Sequence, residues 1–297
     1  MNVALPCATP HSLRPRSHLQ VTPAEPNILA AQLIGRDYLS YSAIRTYQTC
    51  PLRFYFQYVL GLAPAFTPAT LIFGAAVHAA IEKHFRVHLE GLPTADLEDL
   101  VGTYDHTWTS EVSSPVFFSR KESAASLRDL AALILKAFQT SEVAKDPGIV
   151  LGLEEEFRGP IVPQCPDILG RLDLLALKAN ALRITDFKTS RSSWHSAKVQ
   201  ESLPQQLLYS ELVRPVAASL DNVPVEIEWV VLTKGRKPKF ERHTSKPDPQ
   251  QIRWTKFMVR QVWRAISTGQ FFPAPSATIC SSCPYRSRCA KWEGRTS

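Results

Sequence analysis

"GRLD" (Gly170 to Asp173) is followed thirteen residues on by "DFK" (Asp186 to Lys188). Strand residues two apart share a face, so Asp186 and Lys188 point the same way. A hairpin brings Asp173 within reach across its turn. Two carboxylates converging on one point suit a hard divalent cation, since Mg²⁺ prefers oxygen ligands and keeps several waters. A lysine beside them can orient or help deprotonate a bound water and offset charge on a phosphate. The reaction such a set serves is hydrolysis of a phosphodiester. Charged residues at hairpin strand ends are also common, so a lone D-x-K takes its weight from its company.

A second chemical stretch lies near the C-terminus. "CSSCPYRSRC" (Cys280 to Cys289) spaces its thiols C-x2-C-x5-C. Tetrahedral zinc sites and cubane iron–sulfur clusters both take four protein ligands. Three thiols therefore leave one ligand to be found elsewhere.

The elements that must position these residues are legible from periodicity. "SYSAIRTYQTC" opens with serines that can cap a helix. In "CPLRFYFQYVLGL", Pro51 falls in the first turn, Leu52, Tyr55, Phe56 and Val59 keep helical spacing, and Gly61 is the stop. "LIFGAAVHAAIEKHFRVHLEG" predicts a helix with Val77, Ala80, Ile81 and His84 on one face, ending at Gly91. Leu97, Leu100, Val101, Tyr104 and Trp108 mark another, and Leu127, Leu130, Ile134 and Ala137 a third. The pattern then changes to strands. "GIVLGLEEEF" alternates Ile149, Leu151 and Leu153 against other residues, and "ILGRLDLLAL" and "ALRITDFKT" form a hairpin about a "KAN" turn. "LPQQLLYSELV" returns to helix, "VPVEIEWVVLT" to strand, and "PKFERHT" pairs with it. A last helix is capped by Asp248 and stopped by Gly269. The expected topology is helix, three strands, helix, strand, with further helices around it.

Composition sets the outer limits. The 297 residues are 44% hydrophobic with mixed charge, as in soluble globular proteins. The net charge of +7 tilts towards a nucleic-acid partner without demanding one. No apolar run spans a membrane, and no secretory signal is visible, which predicts a cytoplasmic protein with reduced thiols. Residues 1–37 hold five prolines and no sustained period, and read as a disordered tail before a single domain at 38–297. No phosphate-binding G-x4-G-K-[ST] occurs, so no motor accompanies the domain.

"GAAVHAAIE", "GRLD", "ITDFKTS" and "QQLLY", in this order, resemble the motifs of RecB-family nucleases of the PD-(D/E)XK superfamily. Relatives include the AddB nuclease domain and the CRISPR-associated adaptation exonucleases. The resemblance runs from about Tyr41 to Cys289. It implies an α/β restriction-endonuclease-like core (α-β-β-β-α-β) with additional helices, and a DNA nuclease of repair, recombination or defence. By position it implies His78, Asp173 and Asp186 as ligands of one Mg²⁺ or Mn²⁺, with the Phe187 carbonyl a further ligand and Lys188 the catalytic lysine. Gln205 and Tyr209, four apart on one helical face, would support the site and touch the DNA backbone. Gln206 is the competing glutamine. Exonuclease action on single-stranded DNA or DNA ends is the family's common mode, often beside a helicase or an integrase.

The resemblance also supplies the fourth thiol. Several members hold a 4Fe–4S cluster with one cysteine before the core and three after it, here Cys50 with Cys280, Cys283 and Cys289. Closing so long a loop constrains the unfolded chain by roughly 5 kcal/mol, on the rule for disulfides. Zinc is the rival metal, although one-plus-three spacing is nearer to cluster ligation. Cys7 and Cys165 read as free thiols. "EEE" at 154–156 could lend a carboxylate to the metal but reads first as a charged strand edge, and "KGRKPK" (Lys234 to Lys239) could grip phosphates but reads first as a basic turn. The rival functions are a DNA-binding or assembly subunit without catalysis, and a zinc-binding interaction protein with a chance D-x-K.

Overall fold

In the computed structural model, residues 25–235 and 237–293 are described. Order begins earlier than the sequence predicts. Helix α1 (Pro26–Ile34) buries Ala30 and Ile34, and Gly35 ends it at φ 66°. The expected tail at 1–37 is thereby corrected for its last part, while residues 1–24, Cys7 among them, lie outside the described residues. Strand β1 (Tyr38–Ser40) leads into α2 (Tyr41–Thr49), where the Ser40 hydroxyl accepts from the Ala43 amide. Cys50 then separates α2 from α3 (Pro51–Phe54), which continues as a wider π turn over Tyr55–Val59.

Strand β2 (Thr67–Pro68) precedes the long helix α4 (Ala69–Leu89). Helices α5 (Leu97–Glu111) and α6 (Ala124–Thr140), with β3 (Val116–Phe117) between them and the short α7 (Glu142–Lys145) after, complete a helical layer. Both α5 and α6 start on capping boxes, at Asp96 and Ser123. The stripes of α4, α5 and α6 meet in one core with Phe187 of the sheet, where Phe85 and Phe138 lie against its ring.

The sheet contains β4 (Ile149–Gly159), β5 (Asp167–Lys178), β6 (Ala181–Ser190), β7 (Val225–Thr233) and β8 (Phe240–Ser245). Its order is β1-β5-β6-β7-β8, with β4 also on β5. The hairpin β5–β6 turns at Ala179 and Asn180, both at positive φ. Helices α8 (Ser196–Leu212) and α9 (Arg214–Ser219) make the crossover to β7, which runs parallel to β6 and is buried on both faces. Helix α10 (Pro249–Ser267), capped by Asp248, packs with α1, α2 and α8 over the other face of the sheet. Two short helices, α11 (Ala277–Ser281) and α12 (Arg286–Cys289), end the described chain. This mixed α/β arrangement has the restriction-endonuclease-like order α-β-β-β-α-β through α4, β4, β5, β6, α8 and β7.

The alternation expected for β4 fails at its start. Ile149 is 65% and Leu151 43% exposed, whereas Leu153 is buried. A bulge between Val150 and Gly152 shifts the register, and each residue after it turns to the opposite face. Among the described residues, no helix is long and apolar enough to cross a membrane.

Candidate active site

Strand β5 has three neighbours and only two edges. Strand β4 covers one edge over Ile168 to Leu177. The other is divided: β1 pairs with Asp167 to Leu169, and β6 with Leu174 to Lys178. Between them, residues 170–173 face a fork in which no strand ladder runs. The Phe187 amide, just past the last β5–β6 pair, donates to the Asp173 carboxylate at 2.8 Å. The fork is where the predicted residues meet.

His78 reaches it from α4, with Nδ1 3.4 Å from Asp173 Oδ2. Val77 and Ala80 bury the sheet-facing side of that helix, which leaves His78 on its open edge. From β6 come Asp186 and Lys188, whose Nζ donates to Asp186 Oδ1 at 2.6 Å. Gln205 and Tyr209 come from α8, one turn apart, with the Gln205 amide donating to the Tyr209 hydroxyl at 3.1 Å. Gln206 is instead fully buried, with no hydrogen-bond partner for its amide. Gly170 admits the tyrosine ring: a Cβ there would lie 2.6 Å from Tyr209 Cε1.

The electrostatics follow from burial. Asp186 is pushed up by burial and by the Asp173 charge, against the pull of Lys188 and His78. Burial works against the Lys188 ammonium, but Asp186 and Asp173 outweigh it and its pKa is raised. Burial likewise raises the Tyr209 phenol. Asp186 Oδ2 is enclosed and has no hydrogen-bond partner. An orphaned carboxylate oxygen beside a second carboxylate and an imidazole fits a divalent cation.

Glu154 joins this group, against its reading as a charged strand edge. The pairs Leu153↔Leu174 and Glu155↔Leu172 leave it opposite Asp173, and a φ of 49° turns it out of the regular pleat. His78, Glu154 and Asp173 present ligand atoms within 4.8 Å of one another. Asp186 stands outside that tight trio. Burial first, and then the Asp173 charge, lift Glu154 to about 7. The triple "EEE" is the only hint of this in the sequence, and it does not say which glutamate turns inward.

The four cysteines line one cavity of 190 Å³, where an early and a late segment of the chain meet. Cys50 stands at the junction of α2 and α3, and Cys280, Cys283 and Cys289 stand in or beside α11 and α12. All are free thiols, and among the described residues no three of their sulfurs lie within 4.8 Å of one another. Arg53 and Arg286 border the same cavity. Cys165 is buried elsewhere, its thiol pushed up to about 12 by burial.

No curated protein matches this chain. Among solved structures, a Eubacterium rectale protein named "Putative exonuclease" is similar over 97% of this chain and 95% of its own, at 14% identity and a TM-score of 0.57. That likeness shows a shared fold. A second structure, named SSO0001, covers 84% of this chain and 95% of its own at 13% identity, and its TM-score of 0.34 supports no argument. The model of the PD-(D/E)XK nuclease superfamily matches residues 38–290, a span that takes in the fork, α4, α8 and the cysteine cavity, and the chain belongs to that superfamily.

Proposed function

We propose that this protein is a metal-dependent DNA nuclease, acting as an exonuclease on single-stranded DNA or DNA ends. The observation that carries the reading is the meeting of His78, Asp173, Asp186 and Lys188 in one fork, with an unpartnered oxygen on Asp186. His78, Asp173 and Asp186 would hold the Mg²⁺ or Mn²⁺, with Glu154 and the Phe187 carbonyl as further ligands. A bound cation supplies Lewis-acid polarisation of the phosphate and eases deprotonation of a water. Lys188, kept charged by the two aspartates, positions the nucleophile and offsets charge that develops on the phosphate. Gln205 fixes the Tyr209 hydroxyl beside the fork, where it supports the site and meets the DNA backbone. Action beside a helicase or an integrase belongs to the same reading.

The cysteine cavity is assigned to a 4Fe–4S cluster held by Cys50, Cys280, Cys283 and Cys289. What supports the cluster over zinc is the one-plus-three spacing of four thiols that line one cavity. Arg53 and Arg286 offset the negative charge that thiolate ligation brings.

The test is digestion of end-labelled single-stranded DNA by anaerobically purified protein with Mn²⁺. Wild type degrades it, EDTA stops it, and Lys188→Ala slows it on the order of 100-fold or more, the scale of losing a preorganised donor. The surviving label gives the polarity. DNA that is bound but cut by neither protein would leave a binding subunit in place of an enzyme.

A further inference from the structure

Helix α4 shows one open stripe towards the fork: Leu71, Ala75, His78 and Glu82, at spacings of four, three and four residues. Leu71 is 62% exposed, which is unusual for a leucine at the start of a helix that buries ten side chains. Phe66, three residues before α4, pairs with Phe117, with ring centroids 5.0 Å apart and 36° between planes. Phe117 is 44% exposed and Phe66 half-buried. Two rings and a leucine thus open to solvent at the end of α4 that lies two turns, about 10 Å, before the candidate metal ligand His78.

Both rings are held from below and from the sides. Strands β2 and β3 pair in parallel, with Pro68 opposite Phe117. The Thr67 amide donates to the Pro115 carbonyl at 2.9 Å, and the Thr67 and Ser114 hydroxyls share a bond of 2.8 Å. The Ala65 amide donates to the Pro284 carbonyl, and the Tyr285 hydroxyl to the Leu62 carbonyl, so the cysteine segment braces the turn that carries Phe66. On the other side Val116 and Phe118 pack on the helical core. Ser119 accepts from Arg191, which also pairs with Glu122. A rigid, exposed aromatic pair needs a reason, since burying it inward would be favourable.

Arg191 reaches the segment just after Phe117 through Ser119, and Lys234 reaches α4 at Phe73. Arg191 follows the end of β6 and Lys234 the end of β7, with Lys234 Nζ 4.2 Å above the Phe73 ring. Rings that offer a flat apolar face beside cations that can take phosphates are what unpaired nucleic acid requires, because every base has a π face. From this continuity with the fork, we propose that Phe66, Phe117 and Leu71 form a stacking subsite for unpaired bases of the strand whose phosphate lies at the metal ligands. The assignment rests on the nuclease reading for its substrate, but its binding test does not need cleavage.

The test compares affinities in EDTA for a short oligothymidylate and for an abasic strand of equal length and charge, by fluorescence anisotropy. Wild type binds the oligothymidylate about tenfold or more tightly than the abasic strand, the scale of one stacked base. The variant Phe66→Leu with Phe117→Leu, which keeps an apolar contact, loses that difference and retains its affinity for the abasic strand. Phe66→Trp restores it in the Phe117→Leu background. Equal affinity of wild type for the two strands, or an undiminished preference in the leucine variant, overturns the subsite and leaves the rings as a protein contact. A circular dichroism melt of the leucine variant matching wild type keeps unfolding from imitating the loss. Cleavage of labelled DNA by the same wild-type preparation reports separately on the nuclease reading.

Discussion

Asp186 concentrates the conflict between stability and chemistry. Its carboxylate is enclosed by protein, one oxygen serves Lys188, and the other serves nothing. An unsatisfied buried acceptor costs about 1–3 kcal/mol, and a charged one more. A cation that satisfies it must therefore stabilise the folded protein. Mn²⁺ at about 100 times its dissociation constant is expected to add about 2.7 kcal/mol, read as a rise in Tm. Asp173→Ala should lose that rise, and an equal rise in the variant would locate the ion elsewhere. Lys234 gives a pH signature at the same scale. Burial holds its ammonium down to about 8, with Glu122 pulling upward and Arg191 pushing down. The unfolded chain keeps that lysine protonated up to about 10.5, so between these values the unfolded state binds more protons. Stability attributable to Lys234 therefore rises with pH across that window. Urea midpoints at its two ends should show the rise in wild type and a flatter profile in Lys234→Met.

Among the elements, β5 and α8 are fitted to each other through one glycine. A Cβ at Gly170 would fall 2.6 and 2.7 Å from the Tyr209 ring and 3.0 Å from Leu212. Gly170→Ala is expected to cost about 1–3 kcal/mol by overpacking and to part Tyr209 from Gln205, lowering nuclease activity. Tyr209→Ala in the same chain should recover part of the stability, because the clash partner is gone. Additive losses in urea unfolding would show that the ring has room to move. The neighbouring strand β4 shows why local pattern reaches only so far. Its period of two was legible, yet one bulge reversed which residues face inward and brought Glu154 beside Asp173. Nothing in the order of residues 149–156 distinguishes a bulged strand from a regular one.

For the molecule as a whole, the chain's early and late segments meet at the cysteine cavity. The Leu52 amide donates to the Phe272 carbonyl, and Tyr285 packs with Leu52 and Phe56, so the ends touch through protein contacts as well as thiols. A shared cluster would fix this meeting in the unfolded chain too. Cys283→Ser is expected to lower iron content together with the unfolding free energy, by up to roughly 5 kcal/mol, read as a lower urea midpoint. An unchanged midpoint in an iron-free variant would remove the clasp role. Because the same segment braces Ala65 and Leu62, its loss should also loosen the turn before α4.

The sequence by itself determined the α/β class, the helix stripes, the hairpin and the motif residues of the fork. These are short-range signals: period, caps, turn residues and the fixed distance from Asp186 to Lys188. Helical spacing to Tyr209 favoured Gln205 over Gln206, and Gln205 is the one hydrogen-bonded to that hydroxyl. Only the tertiary structure decided that β1 and β6 share one edge of β5, which opens the fork, and that α4 delivers His78 into it. It likewise decided that Glu154 turns inward, that residues 26–34 fold as a helix against the core, and that Phe66 meets Phe117. Each of these depends on contacts between segments far apart in the chain, and one linear pattern is compatible with many such pairings until packing selects among them.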